Sequence, residues 1–341
     1  MTGATRARVV AAFAVVYLVW GSTYLAIRYA VETLPPFLMA GSRFVLAGLL
    51  LHAWAAWRGA PRPTAAAWRW AVLVGALFVP LGNGLVVWAE QRVPSALAAL
   101  VAAGIPLWVA LFDRLAPNGA RLTAARTIGL LVGFGGVVVL VSGDGLTLTG
   151  ESRLVAVAVA SMASALGMVL LRRAPLPSDA ALSSAMTMVT GGSLALLVGI
   201  AGGEPAGFVP ERVSVASVAA YGYLIVFGSV LAFTCFTWLA RTVSPSRAST
   251  HAYVNPLVAL LLGAGLAGER IGPHALAATP LIVGGLVLIL GTATGFARVR
   301  GALRACAALP GRGSLRSREP ANRPGDDRAA LPLARCDRAG A

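Results

Sequence analysis

The chain has 341 residues, of which 57% are hydrophobic and only 12% charged, and its mean hydropathy is +0.78. A soluble domain carries about twice that share of charge, so this balance excludes a water-soluble enzyme, and a disordered chain has the opposite bias. The net charge of +15 rests on 28 arginines with no lysine, which excludes a Walker-type phosphate loop and a Schiff-base lysine.

A membrane helix needs about 20 mostly apolar residues. Ten such runs follow one another, near 9–28, 35–57, 68–89, 94–112, 123–142, 153–171, 180–201, 214–239, 245–267 and 273–296. Charge, proline and glycine collect in the short loops between them, as in Arg58-Gly59-Ala60-Pro61-Arg62-Pro63. The first run continues into Trp20-Gly21-Ser22-Thr23-Tyr24 instead of a small-residue cleavage site, so it reads as a span and not a signal peptide. Residues 297–341 are rich in Arg, Pro and Gly and have no apolar period, so they read as a disordered, Arg-rich cytoplasmic tail. Cys235, Cys306 and Cys336 form no disulfide framework.

Alternate loops belong to opposite sides of the membrane. Arg6, Arg8, Arg58, Arg62, Arg69, Arg114, Arg121, Arg126, Arg172, Arg173, Arg241 and Arg247 then share one side, against Arg28, Arg92, Arg153, Arg212 and Arg270 on the other. Positive residues stay in the cytoplasm, so both termini are expected there, in a bacterial inner membrane. Arginines in this arrangement mark topology and give no reason to expect nucleic acid as a partner.

A shift of 150 residues superposes Trp88 on Trp238, Val93 on Val243 and Pro106 on Pro256. Each unit holds five runs, and because five is odd the second copy must sit upside down. Inverted repeats around a midplane site are the architecture of secondary transporters.

Specific motifs recur in both units. Trp20-Gly21-Ser22-Thr23-Tyr24, Pro35-Pro36, Arg43-Phe44, Gly82-Asn83-Gly84, Ala89-Glu90 and Val93-Pro94-Ser95 occupy the first, and Ser244-Pro245, Ala252-Tyr253-Val254-Asn255-Pro256 and Gly268-Glu269 the second. In this order they resemble an EamA-type member of the drug/metabolite transporter superfamily, over about residues 10–295. The resemblance implies an all-α integral membrane protein of ten transmembrane helices in two inverted five-helix repeats, 9–142 and 153–296. It also implies export or exchange of small metabolites. Where the second repeat has Glu269, the first has Ala120.

Depth along the helices singles out candidate residues. Arg43 lies about 10 Å below the outer surface if Pro36 marks that surface. A charge at that depth is costly, by about 3 kcal/mol on insertion scales, so it should face a cavity or a partner. Asn83 and Trp20 lie at similar depths, which places Trp20, Arg43 and Asn83 on one outer-half cavity with Glu90 at its rim; Glu269 is the matching gate residue. Ser249 and Tyr253 share a helix face, as do His251 and Asn255. Ser22, Tyr24, Trp88 and Trp238 complete the expected lining. Pro106 and Pro256 are expected to kink two spans, and Gly129 with Gly133 to mark a close helix contact.

No cofactor or metal is expected: His52, His251 and His274 are scattered, without paired cysteines. Gly263-Ala264-Gly265-Leu266-Ala267-Gly268 fits a dinucleotide fingerprint but ends an apolar helix. No nucleophile–base constellation points to an enzyme. The expected partners are the lipid bilayer and a small-molecule substrate, with a proton or an exchanged metabolite as coupling species, for a monomer or homodimer. The rival classes are a non-transporting helical sensor or assembly subunit, and an intramembrane enzyme.

Overall fold

The computed structural model describes residues 3–91, 101–117, 119, 123–142, 151–266 and 273–291. Among these residues all regular structure is helical. The first half holds α1 (Gly3–Val31), α2 (Pro36–Trp57), α3 (65–90), α4 (Ile105–Leu115) and α5 (Ala124–Ser142). The second half holds α6 (Glu151–Arg173), α7 (Ala180–Ala201), α8 (215–242), α9 (His251–Leu266) and α10 (Pro273–Gly291). Among the described residues six helices are long and apolar enough to cross a membrane, with shorter apolar helices at Ala124–Val139 and Leu276–Ile289. The sequence expectation for the tail lies outside the described residues.

Local chemistry starts the helices where the sequence allows. Thr64, Asp179 and Ser214 each cap a helix by accepting a backbone N–H with the side chain, at 3.2, 2.8 and 3.0 Å. Pro36 opens α2. The free amides of Phe37 and Leu38 donate to the carboxylate of Glu204, from the loop after α7, at 3.0 and 2.8 Å.

Two long helices are not α-helical throughout. α3 runs as α-helix over Ala65–Ala76, widens to a π-helix over Leu77–Gly84 around Pro80, and resumes over Leu85–Glu90. α8 does the same, with a π-helix over Leu224–Phe233 between Val215–Tyr223 and Thr234–Thr242. The wide turns occupy matching places in the two halves. Pro256 lies inside α9, where it removes one intrahelical bond. The expectation for Pro106 is corrected. It stands in the first turn of α4, after a break at Ala103-Gly104, where an N–H would have no intrahelical partner anyway, and not inside a continuous helix.

Glycine sets the closest helix contacts. α2 and α7 run antiparallel, because Gly41 meets Gly192 and Leu196 while Gly48, further along α2, meets Ala185 and Val189, further back along α7. α5 and α10 pair the same way, with Gly129 against Gly285 and Leu288, and Gly136 against Leu281 and Ile282. Without water to exclude, helices in a bilayer associate by close packing, and small residues permit it. α1 packs on α8 and α9, while α6 packs on α3 and α4.

Two adjacent glycines of α5 test this packing. A Cβ on Gly136 would lie 2.9 Å from the Ile282 backbone nitrogen, whereas a Cβ on Gly135 meets nothing within 4 Å. Gly136→Ala is expected to destabilise the protein by about 1–3 kcal/mol and to lower its melting temperature in detergent, while Gly135→Ala leaves it unchanged. Equal effects of the two would contradict the assigned face of α5.

Candidate functional site

One end of the bundle is sealed. Ala12 and Val16 of α1, Ala55 of α2, Ala67 and Val74 of α3, Val109 of α4, Leu171 of α6, Leu182 of α7 and Leu239 of α8 form a continuous buried cluster. Arginines tie the same helix ends together through loop carbonyls. Arg172 donates to the carbonyl of Val243, Arg173 to that of Pro117, and Arg241 to that of Pro177. Arg173 also pairs with Asp113 at 3.2 Å. Tyr17 and Thr250 share a hydrogen bond of 2.6 Å across α1 and the turn before α9.

Beyond this seal lies a cavity of about 170 Å3. α1 contributes Trp20, Thr23, Tyr24 and Ile27; α2 contributes Arg43 and Phe44; α6 contributes Ala160, Ser161, Ser164 and Met168; and α9 contributes His251 and Asn255. Both π segments reach it, through Phe78, Gly82 and Asn83 of α3 and through Gly228 and Phe233 of α8. A π turn re-aims the side chains that follow it, and here the turns carry polar and aromatic groups to the same space.

Arg43 is 4% exposed. It donates to Asn83 Oδ1 at 3.1 Å, and its guanidinium carbon stands 4.4 Å over the Phe44 ring. Its Nε has no partner. Among the α9 lining residues Asn255 is 5% exposed and its Oδ1 is also unpartnered. His251 turns Nδ1 to the Ala248 carbonyl at 3.0 Å, so that nitrogen carries the proton and Nε2 is left as an acceptor. The ring stands edge-on to Trp20 at 4.9 Å and to Phe236 at 5.5 Å. Trp20 itself donates to the Gly228 carbonyl at 3.1 Å, inside the π segment of α8.

The structure therefore brings Trp20, Tyr24, Arg43, Asn83, His251 and Asn255 together. It places the other expected lining residues elsewhere. Ser22 donates to the Val19 carbonyl at 2.7 Å and shares a 2.5 Å bond with the Tyr223 hydroxyl. Trp88 lies under the Arg153 guanidinium at 4.3 Å and accepts its N–H at the backbone carbonyl. Trp238 packs against the sealed end. Ser249 bonds the Ser246 carbonyl, and Tyr253 is fully buried with its hydroxyl on the Leu130 carbonyl at 2.9 Å. Glu269 and the side chain of Glu90 lie outside the described residues.

Sequence reasoning missed the α6 wall. Ser161, Ser164 and Met168 do recur at helical spacing, which signals one face, but small residues carry no depth signal of their own. Among the described residues no group of three or more metal-ligating side chains comes together.

The model of the EamA-like transporter family matches residues 8–142 and again 152–291. The chain is 38% identical over 274 residues to the uncharacterized inner membrane transporter YedA of Escherichia coli, covering 80% of this chain and 87% of that one. It is 32% identical over 269 residues to Protein PecM of Dickeya dadantii, covering 74% and 84%. A solved crystal structure at 24% identity has the same fold, with a TM-score of 0.69 over 85% of this chain and 99% of the other.

The Arg43–Asn83 contact yields a stability test. A hydrogen bond to a buried charge contributes about 1.5–3 kcal/mol. Asn83→Leu should destabilise the protein by that amount in an Arg43 background and by far less in an Arg43→Met background. Additive losses in this double-mutant cycle would show that the two side chains do not interact.

Proposed function

The chain belongs to the EamA-like transporter family and is a multi-pass membrane transporter; from that premise we propose that it exports or exchanges small amphipathic metabolites or drug-like compounds by alternating access around the cavity. The carrying observation is a pocket with buried, unpartnered polar atoms, built from both halves of an apolar bundle and sealed at one end. A charge buried among membrane helices marks a substrate path or a partner, and Arg43 lines the pocket. The protein acts as a carrier and not as an enzyme.

An inverted-repeat layout of ten spans accounts for several features together. The family model matches twice, corresponding helices pair antiparallel as α2 with α7 and α5 with α10, and the π segments of α3 and α8 correspond. Alternating access then consists of one half rocking on the other, with the sealed end opening as the opposite end closes. By the arginine asymmetry that sealed end is cytoplasmic, with both termini on that side. The coupling species is a proton or a counter-transported metabolite.

Purified protein in sealed vesicles should carry solute flux, and Arg43→Ala should abolish it while the protein remains inserted. Arg43→Lys keeps the charge but loses the planar fork, so transport of carboxylates should fall sharply. Wild-type flux in Arg43→Ala would mean that the arginine merely reaches toward the interface. The topology is tested separately. A reporter after Ala341 should read as cytoplasmic and one at Gly203, an exposed loop residue, as external; both on one side would break the inverted-repeat layout.

A further inference from the structure

The cavity offers two chemically different ends. At one, Arg43 is the charged side chain among the described lining residues, held by Asn83 and with Nε unpartnered. At the other stand two acceptors, Asn255 Oδ1, buried and unpartnered, and His251 Nε2, left free to accept by the bond from Nδ1 to Ala248. A chain of ring contacts links them along the lining. Arg43 covers Phe44 at 4.4 Å, Phe44 meets Phe233 at 6.1 Å, Phe233 meets Trp20 at 6.3 Å, and Trp20 meets His251 at 4.9 Å. Phe44, Phe233 and Trp20 thus form a run of aromatic contacts from Arg43 to His251.

Each end selects its own chemistry. A buried guanidinium favours an anion, above all a carboxylate that can take its fork. Because the described lining has no carboxylate, an ammonium near Arg43 finds no counter-charge and meets a like charge. Buried acceptors without donors cost free energy until a donor arrives. The run of aromatic contacts suits a flat apolar body.

We propose that the site takes an amphipathic aromatic carboxylate with a hydrogen-bond donor at its far end, the carboxylate seated on Arg43 and the distal O–H or N–H on Asn255 and His251. This rests on the transporter reading of the cavity. An ammonium on the carbon next to the carboxylate adds no contact at either end, so the des-amino acid is the better ligand than the corresponding amino acid.

The test titrates full-length purified protein calorimetrically with 3-(4-hydroxyphenyl)propionate, 3-phenylpropionate, 4-ethylphenol, tyrosine and tyramine. The hydroxylated acid should bind at least about 10-fold more tightly than either single-ended compound, tyrosine more weakly than that acid, and tyramine weakest. Asn255→Leu should remove the advantage of the hydroxyl while leaving 3-phenylpropionate binding unchanged. Arg43→Met should remove the advantage of the carboxylate while leaving 4-ethylphenol binding unchanged, so each variant reports its own integrity. Tyramine or tyrosine binding as tightly as the hydroxylated acid would overturn the proposal, as would an Asn255→Leu that weakens both acids equally. If the acid binds with these dependences but vesicles do not move it, the site stands and the transporter reading fails. If no probe binds while the vesicles still move other solutes, the site assignment fails and transport stands.

Discussion

The approach of α2 to α7 at Gly41 and Gly192 is the contact on which the site depends. A Cβ at Gly192 would stand 2.8 Å from the Gly41 carbonyl oxygen and from the Val45 nitrogen, so only hydrogen fits there. In a bilayer no hydrophobic effect drives helices together, and close backbone packing takes its place. Arg43 lies two residues along α2 from Gly41. The contact thus fixes the rotation of α2 that turns Arg43 toward Asn83 and away from lipid. The same device at α5 and α10 leaves the flat face at Gly133 on which the buried Tyr253 ring rests.

The cavity follows from where packing of this kind stops. At the sealed end small residues, aromatic rings and arginine bonds to loop carbonyls fill the space. Further along, the π segments of α3 and α8 break the regular ridges, and the side chains there leave an opening. Polar atoms left unpartnered beside that opening are costly when buried. Arg43 Nε and Asn255 Oδ1 are unpartnered atoms of two residues that line it. The two halves contribute different polar groups: His251 and Asn255 of α9 lie 150 residues after Val101 and Ile105, while Arg43 and Asn83 come from α2 and α3.

Much of this was legible in the sequence, for identifiable reasons. Counting 1.5 Å per residue from helix ends placed Trp20, Arg43 and Asn83 at one depth, and the structure joins them because depth and a costly buried charge together leave few arrangements. The i, i+4 pairing of His251 with Asn255 marked the α9 face in the same way. The rule failed where a residue's type misled. Trp88, expected in the lining, serves as a platform for Arg153, and Tyr253 spends its polarity on a carbonyl of α5. Pro106 read as a kink because the apolar run continues through it, and apolarity does not reveal a helix break. The π segments and the Phe233–Phe236 wall had no readable signature, since wide turns and apolar lining look like any apolar span.

Alternating access requires the sealed end to part, and Asp113 with Arg173 joins α4 of one half to α6 of the other across it. The direct measurement is solute flux in vesicles for full-length protein carrying Asp113→Cys and Arg173→Cys, with Cys235, Cys306 and Cys336 replaced by serine, before and after bridging by a short cleavable bifunctional thiol reagent. Bridging should stop flux while ligand still binds, and cleaving the bridge should restore transport. Unchanged flux in the bridged protein would contradict an account in which this end opens around a fixed cavity.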